Sequence, residues 1–116
     1  MINVHVAREQ SGWITSFTMD GHANAGPHGE DLVCAGASAV AFGAVNAVYE
    51  LADTALNVEQ GEDGGYLSCT VPEQLARSNR EQVQLLIEGM LVSLQTIAAS
   101  YNEFITIHDV KGGEEP

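Results

Sequence analysis

The sequence predicts an α+β fold of one domain, in the order ββαββαβ, with two helices packed on one mainly antiparallel sheet. Three observations predict it: short runs of alternating β-type residues bounded by glycine turns, two long stretches of helical character, and a length of 116 residues that suits a single core. With 45% hydrophobic and 17% charged residues, the chain has the composition of a globular protein rather than a disordered one. The domain is expected to run over 1–111, leaving a polar tail at 112–116.

Ile2, Val4 and Val6 alternate with Asn3 and His5, and a second β-rich run from Trp13 to Met19 follows the Gln10-Ser11-Gly12 break. The two runs read as a hairpin. From Asp20 to Asp31 the chain has three glycines, a proline and no apolar periodicity, which predicts an exposed, mobile loop. Asp31 is placed to cap a helix running to about Ala52, with Glu30 and Asp31 near the positive end of its dipole. That helix is rich in small residues, among them Ala35, Gly36, Ala39 and Gly43, which permit close approach to a sheet or a second subunit. The runs Ala55 to Gln60 and Tyr66 to Val71 flank Asp63-Gly64-Gly65, whose tolerance of positive φ suits a second hairpin turn. Ser78 with Glu81 has the spacing of a capping box, and Val83, Leu86, Ile87, Met90, Leu91 and Leu94 recur at helical spacing until Asn102. Phe104 to His108 supplies a last strand.

Sixteen acidic residues against four basic ones give a net charge of −12, which argues against a nucleic-acid-binding role because phosphate contacts need clustered Lys and Arg. Such acidity serves solubility, or attraction to a basic partner. Two cysteines cannot build a framework of several disulfides, so reduced thiols in the cytoplasm are expected. The first residues lack the basic start and apolar run of a signal peptide. The apolar stretch from Leu32 to Val48 reads as too short and too polar for a membrane span, which needs about 20 strongly apolar residues.

The chemistry is concentrated in Gly21-His22-Ala23, the glycine-containing loop, and Asp31-Leu32-Val33-Cys34-Ala35. With Asp31 as cap, Cys34 is the third helical residue, where unpaired backbone N–H groups and the dipole favour a thiolate. The thiolate is the form that attacks a carbonyl. His22 lies across a loop able to bring its imidazole over the helix start, giving a thiolate–imidazolium dyad in which His22 acts as general acid to the leaving amine. The helix-start N–H groups are candidates for holding the oxyanion, and Ser38 is one turn beyond Cys34 on the same face. Against this stand plainer readings: a cysteine in an alanine-rich helix packs, a histidine in a polar loop is solvated, Ser38 saves space and Asp31 only caps. Cys69, in an alternating strand, reads as a packing residue. His22, His28 and Cys34 are usable zinc ligands, but their spacing matches no standard site and a fourth ligand is missing, so no metal and no organic cofactor is expected.

Gly21-His22-Ala23, Gly29, Asp31, Val33-Cys34-Ala35 and Ser38 together resemble the signature of the bacterial ribosomal-processing cysteine proteases, and the resemblance extends over nearly the whole chain. It implies a homodimeric α+β protein that removes an N-terminal extension from the twenty-seventh large-subunit ribosomal protein. Carried over, His22 would be the dyad base and Cys34 the nucleophile, with Asp31, Ser38 and Gly21 in support and Asn24, Gly26, His28 and Gly29 in a loop that closes over substrate. The segment Ala25-Gly26-Pro27-His28 is less apolar than the family pattern, in which an aromatic is common near position 28. A basic ribosomal protein suits an acidic enzyme, because opposite charge raises the rate of encounter. The alternative from another class is a non-catalytic acidic module that docks on the ribosome. A thiol-redox protein is disfavoured because Cys34 has no partner in the Cys-x-x-Cys manner.

Overall fold

A computed structural model describes residues 1–22, 31–62 and 65–110. The elements are β1 (Ile2–Arg8), β2 (Ile14–Asp20), α1 (Leu32–Ala52), β3 (Asn57–Gln60), β4 (Tyr66–Thr70), α2 (Arg77–Ser100) and β5 (Ile105–Val110). The order is the expected ββαββαβ, and the strands form one five-stranded sheet in the order β3-β4-β2-β1-β5. Pairing is antiparallel except between β1 and β5, which run parallel with Val4 opposite Ile107. A parallel pair cannot be closed by a tight turn, and here the long connection from β1 to β5 carries both helices.

Alternation in β1 decides the layering. Ile2, Val4 and Val6 are buried with Phe17, Leu67 and Cys69 in the core, where Val33, Ala37, Ala41 and Val48 of α1 and Val83, Ile87 and Leu94 of α2 join them. The opposite sheet face is polar, and on it His5 stacks on His108 with ring centroids 4.5 Å apart. Gly12, at φ +98, makes the first turn and donates its N–H to the Glu9 carbonyl at 2.9 Å.

Both helices are long and apolar enough to cross a membrane by length and composition, so the sequence argument that Leu32 to Val48 is too short gives way to a continuous helix of 21 residues. In this fold α1 and α2 pack on each other and send their buried residues into the sheet. At its C-terminal end α1 stops at Asp53, in the left-handed region at φ 50, and the Ala52 carbonyl accepts from Thr54 Oγ1 at 2.8 Å and Asn79 Nδ2 at 3.0 Å.

The proposed Ser78–Glu81 capping box does not form. The helix starts earlier, with Ala76 as its N-cap and no side-chain cap bond, and Glu81 instead pairs with Arg77 at 2.9 Å. The apolar spacing of α2 also conceals a polar core residue. Gln84 is buried and its amide imitates a peptide group, accepting from the Ile14 N–H at 2.7 Å and donating to the Ile14 carbonyl at 2.8 Å. Ile14 begins β2, so these two bonds tie α2 to the sheet while satisfying polar atoms that burial would otherwise penalise.

Arg8 is the other long-range tie. Its guanidinium, with the side chain 11% exposed, takes Glu88 of α2 at 2.6 Å and Asp109 of β5 at 2.8 Å and donates to the Gly12 carbonyl at 2.9 Å. The bonds to Glu88 and then Asp109 raise the Arg8 pKa above its ordinary value, so the charge is permanent. We expect Arg8→Ala to cost about 3 kcal/mol, since removing one partner leaves half-buried carboxylates uncompensated. Urea unfolding checks this: the midpoint should fall with an unchanged denaturant slope.

Candidate active site

The end of β2 supplies one side of a cleft. Gly21 has φ +94, and a Cβ there would collide with the Met1 carbonyl oxygen, so the position demands glycine. Its N–H donates to the Gly65 carbonyl at 2.9 Å, continuing the β2–β4 ladder, and the next residue, His22, accepts on its carbonyl from the Met1 amino group at 2.6 Å. The backbone at Gly21-His22 is thereby held by the residues that precede β1 and β4.

The helix start supplies the other side. The Asp31 carboxylate accepts from the Cys34 N–H at 3.0 Å and the Asp31 carbonyl from the Ala35 N–H at 3.0 Å, which makes Asp31 the N-cap that the sequence predicts and Cys34 the third residue of α1. One helical turn further stands Ser38 and another turn on Phe42, both on the face of Cys34. His22, Cys34, Ser38 and Phe42 all line one cleft of about 180 Å³. Gln60 of β3 and Tyr66 and Leu67 of β4 form its far wall, with Ile2, Met19 and Gly21 also on the lining.

Cys34 at a helix start, His22 and Ser38 thus line one half-enclosed hollow, and these are the residue types that nucleophilic attack on a carbonyl uses. The capping geometry modifies the oxyanion expectation. The Cys34 and Ala35 amides serve the Asp31 cap, so the helix-start donors outside the cap bonds are those of Leu32 and Val33. Cys69 is elsewhere: it is 1% exposed in the core, and burial pushes its thiol up to about 11.

Sequence reasoning names Gly21, His22, Cys34 and Ser38, and the cleft brings these together. Asn24, Gly26, His28 and Gly29, and with them the loop expected to close over substrate, lie outside the described residues. Among the described residues no three His, Cys, Asp or Glu side chains are grouped to hold a metal. Phe42, Gln60 and Tyr66 line the cleft without having been expected there. Phe42 had a usable signal, its spacing of two turns from Cys34; Gln60 and Tyr66 reach the cleft only through strand register.

The family described as "Cysteine protease Prp" matches residues 1–106. The chain belongs to the Prp cysteine protease family. It is an enzyme of that class, and the non-catalytic docking module is set aside. A ribosomal processing cysteine protease Prp from Bacillus subtilis (strain 168) is 50% identical over 107 residues, covering 92% of this chain and 96% of that protein. The Prp of Staphylococcus aureus (strain Mu50 / ATCC 700699) is 41% identical over 108 residues, 93% of this chain and 98% of that one. Among solved structures, the essential ribosomal processing protease Prp from S. aureus in complex with a covalently linked product peptide superposes with a TM-score of 0.86 at 40% identity, covering 95% of this chain and 100% of that chain. SMU.848 from Streptococcus mutans gives a TM-score of 0.80 at 32% identity, over 95% of this chain and 94% of that one.

Two predictions follow from the cleft. Gly21→Ala should lower peptide turnover at least about tenfold, because the collision with Met1 displaces the adjacent His22 and small misplacements at a reacting group are costly; steady-state kinetics on protein shown folded by circular dichroism checks it. Iodoacetamide at pH 7 should label one thiol of the folded Prp protein, Cys34, and label Cys69 only after unfolding, as peptide mass mapping would show. The raised Cys69 pKa also has a sign for stability: the thiol's contribution is complete below its ordinary value of 9.0 and is lost as pH climbs through about 11.

Proposed function

We propose that this Prp protein is a cytoplasmic endopeptidase that removes the N-terminal extension of the twenty-seventh large-subunit ribosomal protein, with Cys34 as nucleophile and His22 as its acid–base partner. The observation that carries the reading is the single cleft lined by His22, Cys34 and Ser38. The relatives add to it: the S. aureus protease has been captured with a substrate peptide and with a covalently linked product peptide. In the proposed reaction the Cys34 thiolate adds to the scissile carbonyl, and helix-start amides receive the oxyanion. The C–N bond then breaks as His22 gives its proton to the departing amine, leaving an acyl thioester on Cys34. Water, losing a proton to His22, attacks that thioester; the carboxylic acid product leaves and the thiolate–imidazolium pair is restored. Asp31 acts as a positioning residue through the Cys34 amide.

The cytoplasmic assignment rests on chemistry: the protein has no disulfide, and its proposed nucleophile needs reducing conditions. A homodimer belongs to the same proposal. Leu85 and Val92, two turns apart on α2, are 75% and 60% exposed and give an apolar stripe on which a second copy can pack. Replacing both by glutamate should shift the sedimentation mass to that of a monomer.

The deciding experiment incubates the full-length ribosomal protein with the unmutated enzyme and with Cys34→Ala and His22→Ala, and reads product masses. One N-terminal cut by the unmutated enzyme, absent with Cys34→Ala and slowed at least about a hundredfold with His22→Ala, is the expected result; a cut by the Cys34→Ala protein would place the nucleophile elsewhere. With a net charge of −12 against a basic substrate, kcat/KM should fall as salt rises, and a flat salt dependence would reject steering.

A further inference from the structure

β3 forms one of the two edges of the sheet. All four of its residues, Asn57 to Gln60, are exposed, and among the described residues β3 stands at the end of the strand order with β4 as its one neighbour. Which backbone groups face outward follows from register. Gly61 donates its N–H to Tyr66, so 61 and 66 form a hydrogen-bonded antiparallel pair. Hydrogen-bonded and non-bonded pairs alternate along such a ladder. Glu59 opposite Ser68 and Asn57 opposite Thr70 are therefore bonded pairs, while Val58 opposite Cys69 and Gln60 opposite Leu67 are not. Ladder bonds from Gly21 to Gly65 and from Val71 to Thr15 agree, since they turn the Leu67 and Cys69 amides toward β2. The N–H and C=O of Val58 and Gln60 consequently point away from the sheet.

Natural sheets protect an open edge with charge, lysine above all, with proline, a bulge or a short strand, and the four-residue β3 carries one charge, Glu59. Asn57-Val58-Glu59-Gln60 contains neither lysine nor proline and pairs with β4 in unbroken register. The edge also leads into the cleft, because Gln60 shares its lining with His22 and Cys34. The Val58 and Gln60 side chains lie on the sheet face of Leu67 and Cys69, the face that α1 covers, and Val58 is 37% exposed there. The edge is acidic at Glu59 and Glu62.

We propose that β3 receives an extended, basic segment of the peptide substrate as a sixth strand, held by the outward N–H and C=O of Val58 and Gln60 and so guided to Cys34. The proposal rests on the proteolytic reading above and deepens it. Strand addition supplies affinity through main-chain bonds and specificity through every second side chain. It also requires an unfolded stretch of substrate, which restricts cleavage to extended termini.

Val58→Pro tests it, because proline removes an outward N–H that β4 does not use and is tolerated on an edge strand. The probe is a synthetic peptide spanning the N-terminal extension and the start of the mature ribosomal protein. We expect kcat/KM on this peptide to fall about tenfold while the rate of Cys34 alkylation by iodoacetamide stays unchanged. Equal cleavage by both proteins overturns the edge proposal and leaves the protease reading intact; no cleavage by the unmutated protein removes both. Should alkylation also change, N-methylation of single non-scissile amides of the peptide, assayed with the unmutated enzyme, decides. Losses at positions two residues apart support strand addition, and loss at no position overturns it.

Discussion

The bond from the Cys34 amide to the Asp31 carboxylate fixes where α1 begins, and the cleft follows from that beginning. A helix has a phase, and its cap sets it. With Asp31 outside and Cys34 third, each further turn returns to the same side, so Ser38 and Phe42 join the thiol on the lining. The same phase sends Val33, Ala37 and Ala41 into the core. A start displaced by one residue would rotate the helix by about 100° and exchange lining for core. One short carboxylate therefore aligns Cys34 with the packing that anchors its helix.

The opposing histidine has no helix to orient it. Its backbone and that of Gly21 are held instead by the residues that precede β1 and β4, through the Met1 amino group and the Gly65 carbonyl that receives Gly21. Other long-range ties hold the sheet to the helical layer: the Gln84 amide fastens α2 to β2, and Arg8 fastens β1 to α2 and β5. The fold spends its few internal polar contacts on joining layers. Among the described residues every buried side-chain nitrogen and oxygen has a partner, as a small core requires when desolvated polar groups each cost kilocalories.

The elements were legible in the sequence because their signals are local. Alternation marked β1, a β-rich run after a glycine break marked β2, and the apolar spacing of Val83, Ile87, Met90 and Leu94 marked α2. Gly21, His22, Asp31, Cys34 and Ser38 were legible for the same reason, lying within two adjoining segments. The Ser78–Glu81 pair misled because capping spacing recurs inside a helix that starts earlier, where Arg77 competes for Glu81. The role of Arg8 was not legible, since its carboxylate partners stand on distant elements. Gln84 carries no local sign of its role, because its partner Ile14 lies far along the chain. Gln60 and Tyr66 were hidden because membership of the cleft depends on which strands become neighbours.

The parallel pairing of β1 with β5 has a consequence for how the enzyme comes into being. β1 is an interior strand, flanked by β2 and by β5, so one of its edges stays open until the last strand docks. During synthesis the segments bearing His22 and Cys34 emerge early, while β4, preceded by the Gly65 that anchors the Gly21 backbone, and β5, which closes β1, emerge later. Pairings between distant segments form late because loop closure opposes them. A nascent chain would thus carry Cys34 and His22 before β3 and β4 supply the other wall of the cleft that both residues line.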